Sequence, residues 1–382
     1  MNKRPSIKSV QHKSPARVTH MRRALLEWYD KGGRSLPWRI RPEDRARGIA
    51  ADPYAVWLSE IMLQQTTVAH ATPYWRAFLE RFPAVTDLAR AERDEVLAMW
   101  AGLGYYARAR NLHKCAGVIA DEHGGVFPAT EAQLLTLPGI GPYTAATIAA
   151  ICFDEATNIV DGNVERVISR IFAVENLLPK ARRELRGLAA TLAPPRRAGD
   201  YGQALMDLGA TICTPRSPKC GLCVWQADCK AFSLGAQTDY PKKLKKAKLP
   251  LRHGAVFVLR CGEKVLLQRR PDKGLLGGMM GVPGTPWGEK VDSPLTFAPL
   301  YGTAAARNWQ LCPEPVRHVF THFELRLTVY RAEIGQGSAG LMDAGFEDLG
   351  LEDLGEWADL GEISSYALPS VMRKVLLASQ AS

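Results

Sequence analysis

The sequence predicts a multidomain protein: an all-α first half that ends in a loop of clustered cysteines, followed by a mixed α+β second half. Three observations carry this. The 382 residues exceed one ordinary compact domain. Hydrophobic periodicity is helical up to about residue 232 and alternates afterwards. Four of the eight cysteines fall within 17 residues, too local for a disulfide framework and dense enough for a metal centre. With 46% hydrophobic and 23% charged residues the chain has a globular composition, which excludes wholesale disorder. No apolar run approaches the roughly 18 residues that a bilayer span needs, so a soluble protein with no membrane partner is expected.

The net charge of +10 is unevenly spread. Residues 1–253 hold 37 basic and 24 acidic residues, whereas 254–382 hold 12 and 15. Seven of the basic residues lie in Met1 to Arg23 and six in Lys242 to Arg252, both stretches free of acid. Basic arms flanking a neutral body suit a polyanion, since each cation placed near a phosphate releases counterions. The first 20 residues have no apolar core of a signal peptide, and Lys, Pro and His interrupt any amphipathic pattern.

Taken in order, residues 1–23 read as a basic tail and 24–232 as a helical domain. In the latter, Val56, Leu58, Ile61, Met62 and Leu63 recur at near-helical spacing, as do Leu88, Val96, Leu97 and Trp100. Residues 233–252, with two prolines and six cations, read as a linker. In 253–382, GAVFVLR and KVLLQRR flank CGEK as a β-hairpin, and Leu325, Leu327 and Val329 alternate as in a half-buried strand. Pro369 opens a terminal helix. The acidic stretch Asp343 to Glu362 reads as a solvated face.

Four features could carry chemistry. Cys213, Cys220, Cys223 and Cys229, spaced C-x6-C-x2-C-x5-C, can wrap one metal centre; zinc and a four-iron cluster both accept four thiolates. LPGIGPYTAATIAAI places Gly139 and Gly141 between two helical segments, a helix-hairpin-helix pattern whose backbone N–H groups can hold a phosphate oxygen. Asp161 precedes the helical NVERVISRIF and suits either a helix cap or a reacting carboxylate. Glu60 sits in the otherwise apolar WLSEIML, where a buried carboxyl has a raised pKa and can donate a proton.

The order Glu60, LQQT, GLGYYARARNL, LPGIGPYTA, VDGNV and then the four-cysteine loop closely resembles the MutY-type adenine DNA glycosylases of the endonuclease III superfamily, continuously over residues 24–230. The resemblance implies a multidomain fold: an all-α helix-hairpin-helix glycosylase domain with a [4Fe-4S] loop held by the four cysteines, plus an α+β Nudix-like 8-oxoguanine recognition domain over 253–382. It implies that Glu60 protonates adenine at N7, that Asp161 stabilises the sugar cation and can form a transient covalent adduct, and that Tyr143 and Asn163 support them. Trp38, Arg39 and Gln203 match the adenine pocket. Gln65 and Tyr105 match side chains wedged into the base stack, and Gly139 and Gly141 the DNA-binding hairpin. Phe320, Thr321 and His322 match the loop that reads 8-oxoguanine, with Thr in place of the usual Ser, and GLLGGMMGVPG departs from the usual Trp-Glu-Phe-Pro upstream.

Glycosidic cleavage through an oxocarbenium-like state needs a proton for the leaving base and negative charge near the sugar, which two carboxyls in unlike environments supply. The base must first be flipped from the duplex. Tyr143 stands where glycosylase/lyases carry a Schiff-base lysine, so a monofunctional glycosylase is expected. The Arg-Glu-x-x-Glu-Glu box of Nudix hydrolases is missing, so their hydrolysis is not expected. The resulting reading is a monomeric bacterial cytoplasmic repair enzyme that excises adenine opposite 8-oxoguanine, and less well opposite guanine, in double-stranded DNA. Its rivals are a bifunctional glycosylase/lyase acting on oxidised pyrimidines and a non-catalytic DNA-binding protein with a structural metal.

Overall fold

Helices in the first half start where caps and prolines punctuate the chain. In the computed structural model, which describes residues 13–244, 248–301, 308–334 and 354–380, they are α1 (Pro15–Gly32), α2 (Pro42–Ala46), α3 (Pro53–Met62), α4 (Val68–Arg81), α5 (Val85–Arg90), α6 (Arg93–Met99), α7 (Ala107–His123), α8 (Glu131–Leu134), α9 (Pro142–Phe153), α10 (Gly162–Phe172), α11 (Arg182–Leu192), α12 (Ala198–Asp207) and α13 (Lys230–Ser233). Ser14, Asp52, Thr130 and Asp161 each accept a backbone N–H from the first turn that follows, and proline fills an opening position of α1, α3 and α9. The second half contributes β1 (Leu251–Cys261), β2 (Lys264–Arg269), β3 (Met280–Gly281), β4 (Gln310–Leu311), β5 (Val316–Val319), β6 (Glu324–Glu333), β7 (Glu356–Asp359) and the terminal helix α14 (Ser370–Gln380).

The chain forms two compact units. The first spans residues 1–68, 84–86 and 115–246. Here α12 packs against α1 and α9, and α3 against α9. Helices α3 and α9 are apolar nearly all round, because both run through the core: Val56, Trp57, Leu58 and Met62 of the one and Ala145, Ile148 and Ala149 of the other are buried. Beyond α12, Trp225 in the cysteine loop is fully buried and donates its indole N–H to the Met21 carbonyl at 2.9 Å, fastening that loop to α1.

The second unit spans 69–83, 87–114 and 247–382. Its sheet runs β3-β2-β1-β6-β4, with β5 also pairing β6 and β7 pairing β2. β1 and β2 form the expected antiparallel hairpin, and β1 lies parallel to β6 over ten residues, Leu251 opposite Glu324 through Arg260 opposite Glu333. Leu325, Leu327 and Val329 face the core with Val256, Val258, Val265 and Leu267, and Val371, Met372 and Val375 of α14 cover them. The segments 69–83 and 87–114 join this sheet through charge: Arg269 pairs with Asp94 at 2.5 Å, Arg93 with Asp272, and Arg110 with the Gly277 carbonyl.

The expected tail and linker are both partly structured. Residues 15–23, expected in the tail, are helical, and Lys13 and Arg17 bind the Asp228 carbonyl and carboxylate; residues 1–12 lie outside the described residues. The expected linker runs along the first unit as far as residue 244, with Tyr240 and Lys242 both bound to Glu175 and the Leu178 N–H donated to the Lys242 carbonyl at 2.8 Å. Grouped by contacts, the helical segments 69–83 and 87–114 also fall with the sheet-bearing unit. Of the acidic stretch, residues 343–353 lie outside the described residues, and 356–359 form β7.

Replacing Trp225 removes both a filled core volume and a buried hydrogen bond. Trp225→Ala is expected to destabilise the protein by about 3–5 kcal/mol and Trp225→Phe by about 1–2 kcal/mol, measured as the shift in urea unfolding followed by circular dichroism.

Candidate active site

Glu60 lies on the last turn of α3, whose apolar surroundings leave the residue only 7% exposed. Burial pushes its carboxyl up to about 7; the Tyr143 hydroxyl draws it down, the charge of Asp161 raises it and Arg39 lowers it. A group held there is part protonated at neutral pH and able to give its proton away.

Asp161 is indeed the cap of α10, and it does more than cap. One carboxylate oxygen accepts the Val164 N–H at 2.7 Å and the other the Asn163 side-chain amide at 2.9 Å. Asn163 accepts in turn from Arg166 at 2.9 Å, and Arg166 reaches the carbonyls of Gly209 and Cys213 at 2.7 and 2.8 Å. Gly209 is required for this approach, since a Cβ there would stand 2.6 Å from the Asn163 Cβ. The Tyr143 hydroxyl is pushed up by burial and by the charges of Glu60 and Asp161, and it points at the Met206 sulfur at 3.6 Å.

These groups open onto one cavity of about 890 Å³, large enough for an extruded nucleoside. Trp38, Arg39, Gln65, Gly139, Gly141, Asn163 and Gln203 line it too, so the structure brings together all of the predicted residues of the first unit except the cysteines. Gln203 is held by a 3.3 Å bond from its amide nitrogen to the Gly199 carbonyl, while its buried side-chain oxygen has no protein partner, an acceptor available to a base amine. Arg39 is fixed by two bonds of 3.0 and 2.9 Å to Asp207. Gly139, at φ +76°, makes the tight turn that brings the α8–α9 hairpin to the cavity rim, and Gln65 also sits in the left-handed region, at φ 61°.

Cys213, Cys220, Cys223 and Cys229 surround a second, small cavity whose walls are Val167, Ile171, Leu208 and Phe232. Burial first, and then the crowding of neighbouring thiols, raises Cys220 and Cys229 and pushes Cys223 up to about 12; a cationic centre reverses that penalty by binding thiolates. Among the described residues no three His, Cys, Asp or Glu side chains are gathered tightly enough for a single metal ion. Sulfurs that encircle a space fit a multi-atom cluster better than one zinc. Arg170, 1% exposed, donates to the Cys213 sulfur at 3.1 Å and to the carbonyls of Cys213, Thr214, Pro215 and Tyr240.

In the second unit Phe320 packs against Trp287, Phe323 and His318. It is the base of a tight turn, closed by the Phe320 N–H to the Phe323 carbonyl at 2.9 Å, and Thr321 and His322 form its exposed tip. The Thr321 and Tyr105 hydroxyls are hydrogen-bonded to each other, so the structure joins two residues assigned to neighbouring tasks. Asp207, Arg166 and Arg170 were not singled out from sequence. The available signal was a charged residue recurring on the buried side of an amphipathic helix, with Arg166 and Arg170 one turn apart and Asp207 one turn after Gln203.

Three family models match the chain: an HhH-GPD superfamily base excision DNA repair protein over residues 58–192, the iron-sulfur binding domain of endonuclease III over 213–229, and a NUDIX domain over 255–378. The cofactor of such a chain is a [4Fe-4S] cluster. The human protein named adenine DNA glycosylase is 36% identical over 368 residues, covering 82% of this chain and 67% of its own length. The one from Mycolicibacterium smegmatis is 46% identical over 199 residues, covering 52% and 65%. Among solved structures, a thermostable thymine-DNA glycosylase superposes with a TM-score of 0.51 at 30% identity, covering 57% of this chain and 98% of its own. With both halves and the cysteine loop matched in order, the chain belongs to the adenine DNA glycosylase family.

Proposed function

We propose that this chain excises adenine from A:8-oxoguanine mispairs in duplex DNA, and less well from A:G, by hydrolysing the N-glycosidic bond with Glu60 as proton donor and Asp161 as the anion facing the sugar. The observation that carries the reading is the pair itself: one buried carboxyl with its pKa near 7 and one hydrogen-bonded carboxylate opening onto the same nucleoside-sized cavity. It is a monofunctional glycosylase of base excision repair.

The flipped adenine stacks along Trp38 and Arg39, and its exocyclic amine donates to the partnerless Gln203 oxygen. Glu60 gives its proton to N7, so the base leaves neutral while positive charge spreads over the sugar ring. Asp161 stabilises that charge and can close on the sugar carbon as a transient ester. Water then adds to the carbon, releasing the Asp161 carboxylate wherever the ester has formed, and one of its protons restores Glu60. Asn163 keeps the Asp161 carboxylate oriented. Strand cleavage through an imine requires an amine, and among the described residues no lysine lines the cavity.

The four cysteines would hold the cluster as thiolates, cross-linking residues 213–229 into a fixed loop next to α10. Thr321 and His322 would read the oxidised guanine, with Phe320 as their foundation, and Tyr105 and Gln65 would fill the stack around it. No described helix is long and apolar enough to cross a membrane. One monomer acting on the bacterial chromosome in the cytoplasm is the reading that the excess of basic residues over 1–253 favours.

Single-turnover excision should fall as pH rises through about 7, where Glu60 loses its proton, and this limb should vanish in Glu60→Gln. Asp161→Asn should lower excision by at least about a thousandfold while retaining duplex binding, because asparagine caps a helix as well as aspartate; near-normal turnover would leave Asp161 as a cap alone. Purified protein should be brown, with absorption near roughly 400 nm, and Cys220→Ser should lose iron and yield. A Thr321→Ala, His322→Ala variant should lose preference for A:8-oxoguanine over A:G while its A:G rate stays near wild type.

A further inference from the structure

Asp207 ends α12 one turn after Gln203 and is 1% exposed. Its carboxylate accepts four bonds from one short stretch of chain: the Arg34 N–H at 2.8 Å, the Arg34 Nε at 2.6 Å, and Arg39 Nη1 at 3.0 and 2.9 Å. Arg39 is as deeply enclosed, its side chain 6% exposed against 1% for that of Asp207. A guanidinium in such surroundings acts over a longer range than in water. It lines the cavity with Glu60 and bears on that carboxyl.

We propose that Asp207 is a positioning residue for base excision, which pins the Arg34–Arg39 wall of the pocket to α12 and neutralises Arg39 so that Glu60 keeps its proton. This rests on the assignment of Glu60 as proton donor. The groups that act on Glu60 are Arg39, Tyr143 and Asp161, with Cys152 on α9 sensing its charge; Arg34, Glu165, Arg182 and Arg186 line the same cavity. Those around Asp207 are Arg34 and Arg39, and Tyr29 senses Asp207 together with Asp200, Arg39 and Arg45. Within the first set only Arg39 favours ionised Glu60 by its charge, and Asp207 is the carboxylate bound to it. An uncompensated Arg39 therefore draws the proton off Glu60 at lower pH.

The test is the pH profile of single-turnover adenine excision by full-length, cluster-loaded protein on an A:8-oxoguanine duplex. Asp207→Asn keeps the shape and one amide donor or acceptor but removes the charge. Its falling limb should move to lower pH by roughly one unit relative to wild type, with the rate at the acid plateau recovering much of the wild-type value. Arg39→Met should move the limb to higher pH even though adenine binding weakens, and Arg39→Met combined with Asp207→Asn should return it to wild-type pH or above. A purely structural Asp207 would instead lower the rate by one factor at every pH, and an unmoved midpoint in Asp207→Asn overturns the proposal. Should that variant fail to fold, judged by loss of cluster absorption, an unmoved midpoint in Arg39→Met overturns it equally. A wild-type profile without the limb near pH 7, or one unchanged by Glu60→Gln, would be visible before any Asp207 variant is made and would refute the Glu60 assignment itself.

Discussion

A carboxyl group removed from water keeps its proton unless a nearby cation compensates its charge, and the site is arranged around that constraint. Glu60 is enclosed by an apolar helix, and the one guanidinium acting on it, Arg39, is already claimed by Asp207. Tyr143, whose hydroxyl points at the Met206 sulfur and feels the charge of Glu60, is itself a reluctant acid in this environment and so cannot take over the charge. Asp161, the cap just ahead of α10, has the opposite surroundings: a backbone N–H and an amide both donate to it. One polypeptide therefore holds an acid and an anion side by side without mixing their roles.

Orientation is handled by a second layer of cations. Arg166 and Arg170 lie one turn apart on α10 and spend their donors on carbonyls and one cysteine sulfur instead of on carboxylates. Satisfying six guanidinium contacts with main-chain oxygen stiffens the cysteine loop beside the same helix whose first turn is capped by Asp161. Breaking such a buried cation away from its partners is strongly unfavourable, by several kcal/mol, so the loop and the catalytic cap share one set of mechanical supports.

Much of this was legible in the sequence where a single segment carries its own signal. The C-x6-C-x2-C-x5-C spacing, the Gly139 turn and the alternation of Leu325, Leu327 and Val329 are local patterns, and each forms as read. Glu60 was legible through its apolar neighbours, which bury it. Asp161 was ambiguous between cap and reactant because a carboxylate has two oxygens, and here one caps the helix while the other is held by Asn163. What could not be read were pairings across long separations. Asp207 with Arg34 and Arg39, and Asp94 with Arg269, leave no periodicity, and charged side chains far apart in sequence look like solvated surface until the fold joins them. The same reason hid from the sequence that the helical segments 69–83 and 87–114 group by contacts with the sheet.

That division has a consequence for how the chain acquires its structure during synthesis. Residues 69–83 and 87–114 belong with a sheet whose strands begin at Leu251 and whose covering helix ends at Gln380. At 5–20 residues per second, the interval between translation of the early helices and of that last helix is on the order of tens of seconds. During it, Arg93, Asp94 and Arg110 lack the partners they have in the finished fold, Asp272, Arg269 and the Gly277 carbonyl.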